Sequence, residues 1–324
     1  MIEDLKRRAI RQNDICGSDA LKLSEWGAKH PFRVMAAAAE IREHFKGKLI
    51  TLCEIVNAKS GRCSEDCKFC AQSSHYKTAS PTYPLLSAEK IIERASIAKG
   101  HGAHMFGVVT SGKRISGKND WKKICEAITG IHDLGIKPCA SLGLIDKKQA
   151  KQLKEAGLFR YHHNLETSPS FFKNICTTHP YEEDIKTILT AKDAGLSVCC
   201  GGLIGLGETM AHRIELAMTL KDLDVDSIPI NILNPIAGTP LARTPPLPPL
   251  EILLTIAVFR FILPAKDINL CGGKEKNLRQ LLPLAIVSGC NSLMSGNYLT
   301  TSGRNPPMNL EMIADLGLTA RWQD

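Results

Sequence analysis

Aromatic side chains are scarce in this 324-residue chain, at 5% of residues, and the densest basic run holds only one, Trp121. A nucleic-acid stacking platform is therefore not expected. Charge of one sign is not concentrated either. The excess of 41 Lys plus Arg over 33 Asp plus Glu, +8, is spread along the chain, and its densest stretch, Lys113 to Lys123, also holds Asp120. Such a run reads as a solvated face. Long apolar runs are missing: Ile252 to Phe259 is broken by Thr255 and closed by Arg260, well short of the ~20 residues that span a bilayer. The N-terminus, Met1-Ile2-Glu3-Asp4-Leu5-Lys6-Arg7-Arg8, leads into no apolar signal region. The expected address is the cytoplasm, with reduced thiols and no membrane partner. No Gly-x-Gly-x-x-Gly opens a helix after the first strand, which argues against a dinucleotide-binding fold. Internal repeats and low-complexity segments are also lacking.

What remains is an ordinary globular composition, 44% hydrophobic and 23% charged, which excludes disorder. Short β-branched runs alternate with longer amphipathic stretches. Strands are expected at Leu49 to Val56, Met105 to Val109, Ile136 to Ser141, Phe159 to Asn164, Leu196 to Gly201, Ser227 to Leu233, Asp267 to Cys271 and Ser292 to Met294. Helical patterns fill the gaps: Ala88 to Lys99, Trp121 to Leu134, Lys147 to Ala156, Tyr181 to Ala194, Glu208 to Leu223, Leu250 to Leu263 and Asn277 to Ser288. Gly100, Gly135, Gly157, Gly195 and Gly289 stand at helix ends as caps. Strand and helix alternating eight times fits an α/β fold of the (β/α)8 TIM-type barrel class. Residues 1–45 form an N-terminal helical segment, 46–304 the barrel and 305–324 a short C-terminal tail. Reactive residues of such a barrel gather at the C-terminal ends of its strands.

The strongest chemical signal lies after the first strand: Cys63-Ser-Glu-Asp-Cys67-Lys-Phe-Cys70, three cysteines at Cx3Cx2C spacing. Thiolates so spaced can wrap one side of a metal centre. A structural zinc site wants four ligands, and neither Cys53 nor His75 stands at a matching distance in sequence. Three thiolates leave one iron of a 4Fe-4S cube open to another molecule.

The stretch Asn57 to Thr78 around this motif resembles the cluster loop of the biotin synthase family of radical S-adenosylmethionine (SAM) enzymes. The resemblance continues through Tyr161 to Ser168, Val198 to Thr209, Ile228 to Leu233 and Gly238 to Leu241, and covers roughly residues 50–300. It implies a 4Fe-4S cluster on Cys63, Cys67 and Cys70 with SAM on the fourth iron. It also implies Phe69 beside the adenine, Asn164 and Glu166 on the ribose, and a glycine-rich turn, Gly201 to Gly207, approaching the adenine. The implied reaction is sulfur insertion into dethiobiotin to give biotin, by a sulfurtransferase with a flavodoxin or ferredoxin as electron donor and a homodimeric assembly.

The family draws its sulfur from an auxiliary 2Fe-2S cluster inside the barrel, held by cysteines on strands two, three and five and an arginine on strand seven. Cys139 and Cys199 match. The strand-two cysteine is Gly107 and the arginine is Asn269. Asn269 and Cys271 are two apart and share a strand face, so Cys139, Cys199 and Cys271 become three inward thiols. Three thiolates on alternate strands suit a 4Fe auxiliary cluster, with one open iron able to carry an extra sulfide, better than a 2Fe-2S one. Substrate contacts carry over as Asn231 and Asn164, with His162 where the family has asparagine. The arginine that meets the SAM carboxylate is Asp184, so its basic partner must come from elsewhere. Cys16, Cys53, Cys125, Cys176 and Cys290 read as packing residues, and Cys200 stays open. Two rivals remain: a related maturase or mutase type of radical SAM enzyme with another substrate, and an iron–sulfur protein without turnover.

Overall fold

The computed structural model describes residues 1–12 and 14–322. Its centre is a closed parallel barrel in which all eight expected strands occur: β1 (Leu49–Lys59), β2 (Met105–Thr110), β3 (Lys137–Ser141), β4 (Arg160–His162), a fifth strand in two pieces, β5 (Ser197–Cys199) and β6 (Gly202–Ile204), then β7 (Ser227–Ile232), β8 (Asp267–Leu270) and β9 (Ser292–Met294). Every neighbouring pair is parallel, and β9 pairs with β1 to close the ring. A tenth strand, β10 (Thr319–Ala320), follows a helix at Pro306–Asp315 and adds to β1 at Leu49 and Ile50.

The fifth strand breaks at Gly201 because the chain passes too close to its neighbours for a side chain. A Cβ at Gly201 would fall 2.1 Å from the Pro229 carbonyl oxygen, and one at Gly202 would fall 2.4 Å from that of Glu166. Glycine lets the backbones meet there.

Three helices, Ile2–Ile10, Gly17–Lys29 and Pro31–Lys46, cover the helix Pro249–Ile262 from outside. That cover explains the apolar run at Ile252: every residue from Ile252 to Ile262 is buried, as expected of a helix that meets protein on all sides. Arg260, within it, is 0% exposed and donates to the carbonyl oxygens of Leu263, Pro264, Lys266 and Gly289 and to Asn291 Oδ1, so its charge is fully satisfied.

Two local expectations need correction. The helix expected over Asn277 to Ser288 is broken into Lys274–Leu278, a 3-10 turn at Arg279–Leu281 and Leu284–Val287. Arg279 takes a positive φ of 52° and Pro283 follows, so a continuous helix is not available. The left-handed glycine after Ala88–Gly100 is Gly102 rather than Gly100.

Candidate active site: two adjoining cavities

The long connection after β1 folds back on itself to present the Cx3Cx2C cysteines. The Cys63 amide donates to the Gln72 carbonyl (3.0 Å), the Ser74 amide to that of Cys63 (2.8 Å) and the Cys70 amide to that of Cys67 (2.9 Å). Ser73 Oγ donates to the Glu65 carbonyl at 2.5 Å. The loop is fastened to the segment after β4, where the Lys68 amide donates to the Ile175 carbonyl (3.0 Å) and Asp66 accepts from the Thr177 amide (2.8 Å). All three thiols line a cavity of about 220 Å³. A hydrogen bond with Cys176, then burial, pushes the Cys67 thiol up, and burial pushes Cys70 up to about 11. Three soft donors grouped at a partly open surface fit a cubane with one iron left for another molecule.

Phe69 packs with Leu206 and Ile175 in a small apolar cluster. Leu206 belongs to the glycine-rich turn, whose Gly205 and Leu206 amides donate to Glu208 (2.8 and 2.6 Å), itself held by buried Arg213 at 2.6 Å. Asn164 Nδ2 reaches Glu166 Oε2 at 3.4 Å, and Asn164 Oδ1 accepts from the Gly201 amide at 3.2 Å. Glu166 stands in the left-handed region (φ 62°), with its carbonyl bonded by the Leu203 amide. Burial, seconded by Asp184, pushes its carboxyl up to about 8.

Asp184 lies at this cavity but cannot serve as a cation. It accepts from His163 Nε2 (2.8 Å) and His179 Nε2 (3.1 Å), while His179 Nδ1 meets Glu65 Oε2 at 2.6 Å. Two carboxylates, one at each ring nitrogen, require His179 to donate from both, which makes it an imidazolium. Burial opposes that charge, yet the hydrogen bonds to Asp184 and Cys176 push His179 up to about 11. Both ring N–H groups of His179 are thereby taken up by carboxylates. A single His in Thr177-Thr178-His179 carries no signal until the fold sets Glu65 and Asp184 around it.

A second cavity, about 340 Å³, opens inside the barrel. Cys139, Cys199 and Cys271 all line it, as do Asn231, His162 and Asn269. Burial pushes Cys199 up to about 12 and raises Cys139 and Cys271 as well. Burial favours neutral thiols until a cation enters and displaces the protons. His162, kept neutral as burial lowers it to about 4, reaches Cys199 Sγ with Nδ1 at 3.3 Å. Asn231 lines the wall with its amide on backbone, accepting from Gly272 N (3.0 Å) and donating to the Gly202 carbonyl (3.4 Å). The two cavities share Phe69, His162, Asn164 and Glu166 as common wall.

The donor set fits an auxiliary iron–sulfur cluster but not the family's usual ligands. Gly107 offers no donor, and a Cβ there would lie 3.0 Å from Ile55 Cγ2. Asn269 donates its Nδ2 to Cys53 Sγ at 3.4 Å, and its Oδ1 is buried without a partner. Cys53 therefore faces the cavity, not a packing interface as its sequence suggests. Cys290 and Cys200 are packed in the hydrophobic core, which sets Cys200 outward, whereas Cys176 borders the loop cavity, 3.4 Å from His179 Nδ1, and is not a packing residue alone.

A parallel barrel with a three-thiol loop above the first strand and a sulfur-lined interior is the design of a radical SAM enzyme. The chain matches the Radical SAM superfamily over residues 58–220 and the Biotin and Thiamin Synthesis associated domain over residues 229–319. It is 51% identical to the biotin synthase of Geobacter sulfurreducens over 98% of this chain and 97% of that protein, and 50% identical to the biotin synthase of Pelotomaculum thermopropionicum over 98% and 99%. This chain belongs to the biotin synthase family. In fold it is similar to a methylornithine synthase (TM-score 0.85, 21% identity, 98% of this chain and 97% of that one) and to a maturase of the [FeFe]-hydrogenase (0.84, 16%, 100% and 76%).

Proposed function

We infer that the chain converts dethiobiotin to biotin by radical SAM chemistry, acting as a sulfurtransferase. The observation that carries this reading is the pair of adjoining cavities, one bordered by the loop thiols and the other by barrel thiols, with Phe69, His162, Asn164 and Glu166 between them. When loaded, the loop cluster supplies the electron that cleaves SAM and the barrel cluster supplies sulfur.

The chain's own residues divide the remaining work. Cys63, Cys67 and Cys70 hold the 4Fe-4S cluster. Phe69 provides an apolar wall for the adenine, and Asn164 and Glu166 offer acceptors for the ribose hydroxyls. His179, held between Glu65 and Asp184, offsets part of the negative charge those carboxylates bring to the SAM cavity. Asn231, His162 and Asn164 present polar atoms to the ureido ring. Cys139, Cys199 and Cys271 hold an auxiliary cluster of the 4Fe type. Below them Arg160, bonded to Ser197 (3.0 Å) and paired with Asp267 (3.5 Å), closes the barrel floor against water. The net charge of +8 favours an acidic one-electron donor such as flavodoxin or ferredoxin, and the assembly is a homodimer. Among the described residues no helix is long and apolar enough to cross a membrane.

Anaerobic incubation with dethiobiotin, SAM and dithionite, followed by mass spectrometry, tests the reading. Biotin together with 5′-deoxyadenosine is expected. Deoxyadenosine without biotin would move the activity to another substrate, and neither product would leave an iron–sulfur protein without turnover.

A further inference from the structure

The loop cavity holds a fourth thiol to which the reaction assigns no work. Cys63, Cys67, Cys70 and Cys176 all border it, and Cys176, from the segment after β4, is only 2% exposed. It does not serve as a further iron ligand, because three thiolates already hold the cubane and a fourth would close the iron that SAM needs. Its thiol instead meets that of Cys67, with which it shares a hydrogen bond.

Backbone bonds on either side fix that meeting. The Lys68 amide donates to the Ile175 carbonyl at 3.0 Å, and Asp66 Oδ1 accepts from the Thr177 amide at 2.8 Å, so the two segments run antiparallel with Cys67 opposite Cys176. The pair exchanges no backbone hydrogen bond of its own. The Cys67 carbonyl accepts from the Cys70 amide (2.9 Å), and the Cys176 amide donates to the Phe172 carbonyl (3.0 Å). Facing residues of that kind stand about 4.5 Å apart at Cα, within the span of about 4.4–6.8 Å that a disulfide bridges. Asp66 and Thr178 exchange two further bonds at 3.3 Å, so the segments are held in place before any bridge forms.

The two thiols are unequal. Cys67 is partly exposed, whereas Cys176 is buried behind it with the His179 ring 3.4 Å from its sulfur. A cationic neighbour favours the thiolate, which is the attacking form. An accessible thiol backed by a second, resolving thiol is the arrangement of a redox-sensitive cysteine. Without such a partner an oxidised Cys67 proceeds to the sulfinic acid, and the loop loses a ligand irreversibly.

We propose that Cys67 and Cys176 form an oxidative modification site, in which a peroxide reaching the loop after its cluster is lost joins the two sulfurs in a disulfide that a dithiol reverses. One peroxide oxygen transfers to the Cys67 sulfur as the O–O bond breaks, giving a sulfenic acid and one water. The Cys176 sulfur then attacks that of Cys67, the S–O bond breaks, and the leaving hydroxide takes the Cys176 proton as the second water. The two thiols give up two electrons and two protons, and the peroxide gains them. The inference rests on the reading of Cys67 as a ligand of the loop cluster.

The test compares full-length chain reconstituted anaerobically with the same chain freed of iron by a chelator and dithionite. Each receives equimolar hydrogen peroxide, is alkylated in denaturant, digested without reductant and read by mass spectrometry. The iron-free chain is expected to yield a peptide pair joining Cys67 to Cys176, about 2 Da lighter than the two reduced peptides and lost on treatment with dithiothreitol. The loaded chain is expected to yield none. Cys176→Ser is expected to take up the loop cluster as the wild type does, but after peroxide to carry Cys67 as the sulfinic acid, about 32 Da heavier. It then loses the iron uptake that dithiothreitol restores to the wild type. Cys67 joined to Cys63 or Cys70, or oxidised alone in the wild type, overturns the proposal, and the wild-type peptide map decides this even should the serine variant fold poorly. Untreated wild-type iron content that Cys67→Ala leaves unchanged overturns the loop-cluster reading instead, whatever the peptide map shows.

Discussion

The cysteine loop and the barrel interior are built on opposite principles. Cys63, Cys67 and Cys70 lie within eight residues, are partly exposed, and are shaped by loop backbone hydrogen bonds at 2.8 to 3.0 Å. The barrel thiols come from strands far apart in sequence and line one interior cavity. A local motif suffices where one face of the centre must stay open to a small molecule. A centre that gives up sulfur while the protein survives needs a scaffold whose folding does not depend on that centre, and a closed barrel supplies it.

The largest effect is expected at the loop. Cys67→Ala is expected to lower 5′-deoxyadenosine formation by about 10³ or more, roughly 4 kcal/mol of barrier, with far-ultraviolet circular dichroism unchanged. Cys139→Ala is expected to abolish biotin formation while SAM cleavage stays within about twofold, less than half a kcal/mol of barrier. Loss of both activities there would break the division between the two regions. Gly202→Ala forces a Cβ against the Glu166 carbonyl and is expected to destabilise the chain by about 3 kcal/mol in urea unfolding. The smallest effect concerns the shared wall. The Glu166 carboxyl, raised to about 8 by burial, is protonated below that pH and accepts ribose hydrogen bonds best above it. SAM affinity, measured by equilibrium dialysis, is expected to rise between pH 7 and 9. Glu166→Gln is expected to bind about tenfold more weakly, about 1.4 kcal/mol, and to lose that rise.

The same contrast explains what could be read from the sequence. The loop motif is legible because its donors share one short stretch, and the eight strands are legible because helices and turn glycines separate them. Asn269 and Cys271 share a face by simple alternation. Cys53 escaped because β1 is buried on both faces over Ile50, Thr51 and Leu52, so no alternation distinguishes inside from outside. Its orientation follows only from the register around the whole ring. His179 escaped for a related reason: its charge is made by Glu65 and Asp184, which are remote from one another in sequence. The helical pattern after β8 runs longer than any helix there because Pro283 and the positive φ of Arg279 interrupt it.

The most direct test of the central claim follows the sulfur. Chain reconstituted with ³⁴S-sulfide, freed of unbound sulfide and given dethiobiotin, SAM and dithionite for a single turnover is expected to yield biotin carrying ³⁴S, with 5′-deoxyadenosine alongside. Biotin without the label, or deoxyadenosine with no biotin at all, would contradict a barrel whose own thiols hold the sulfur that is transferred.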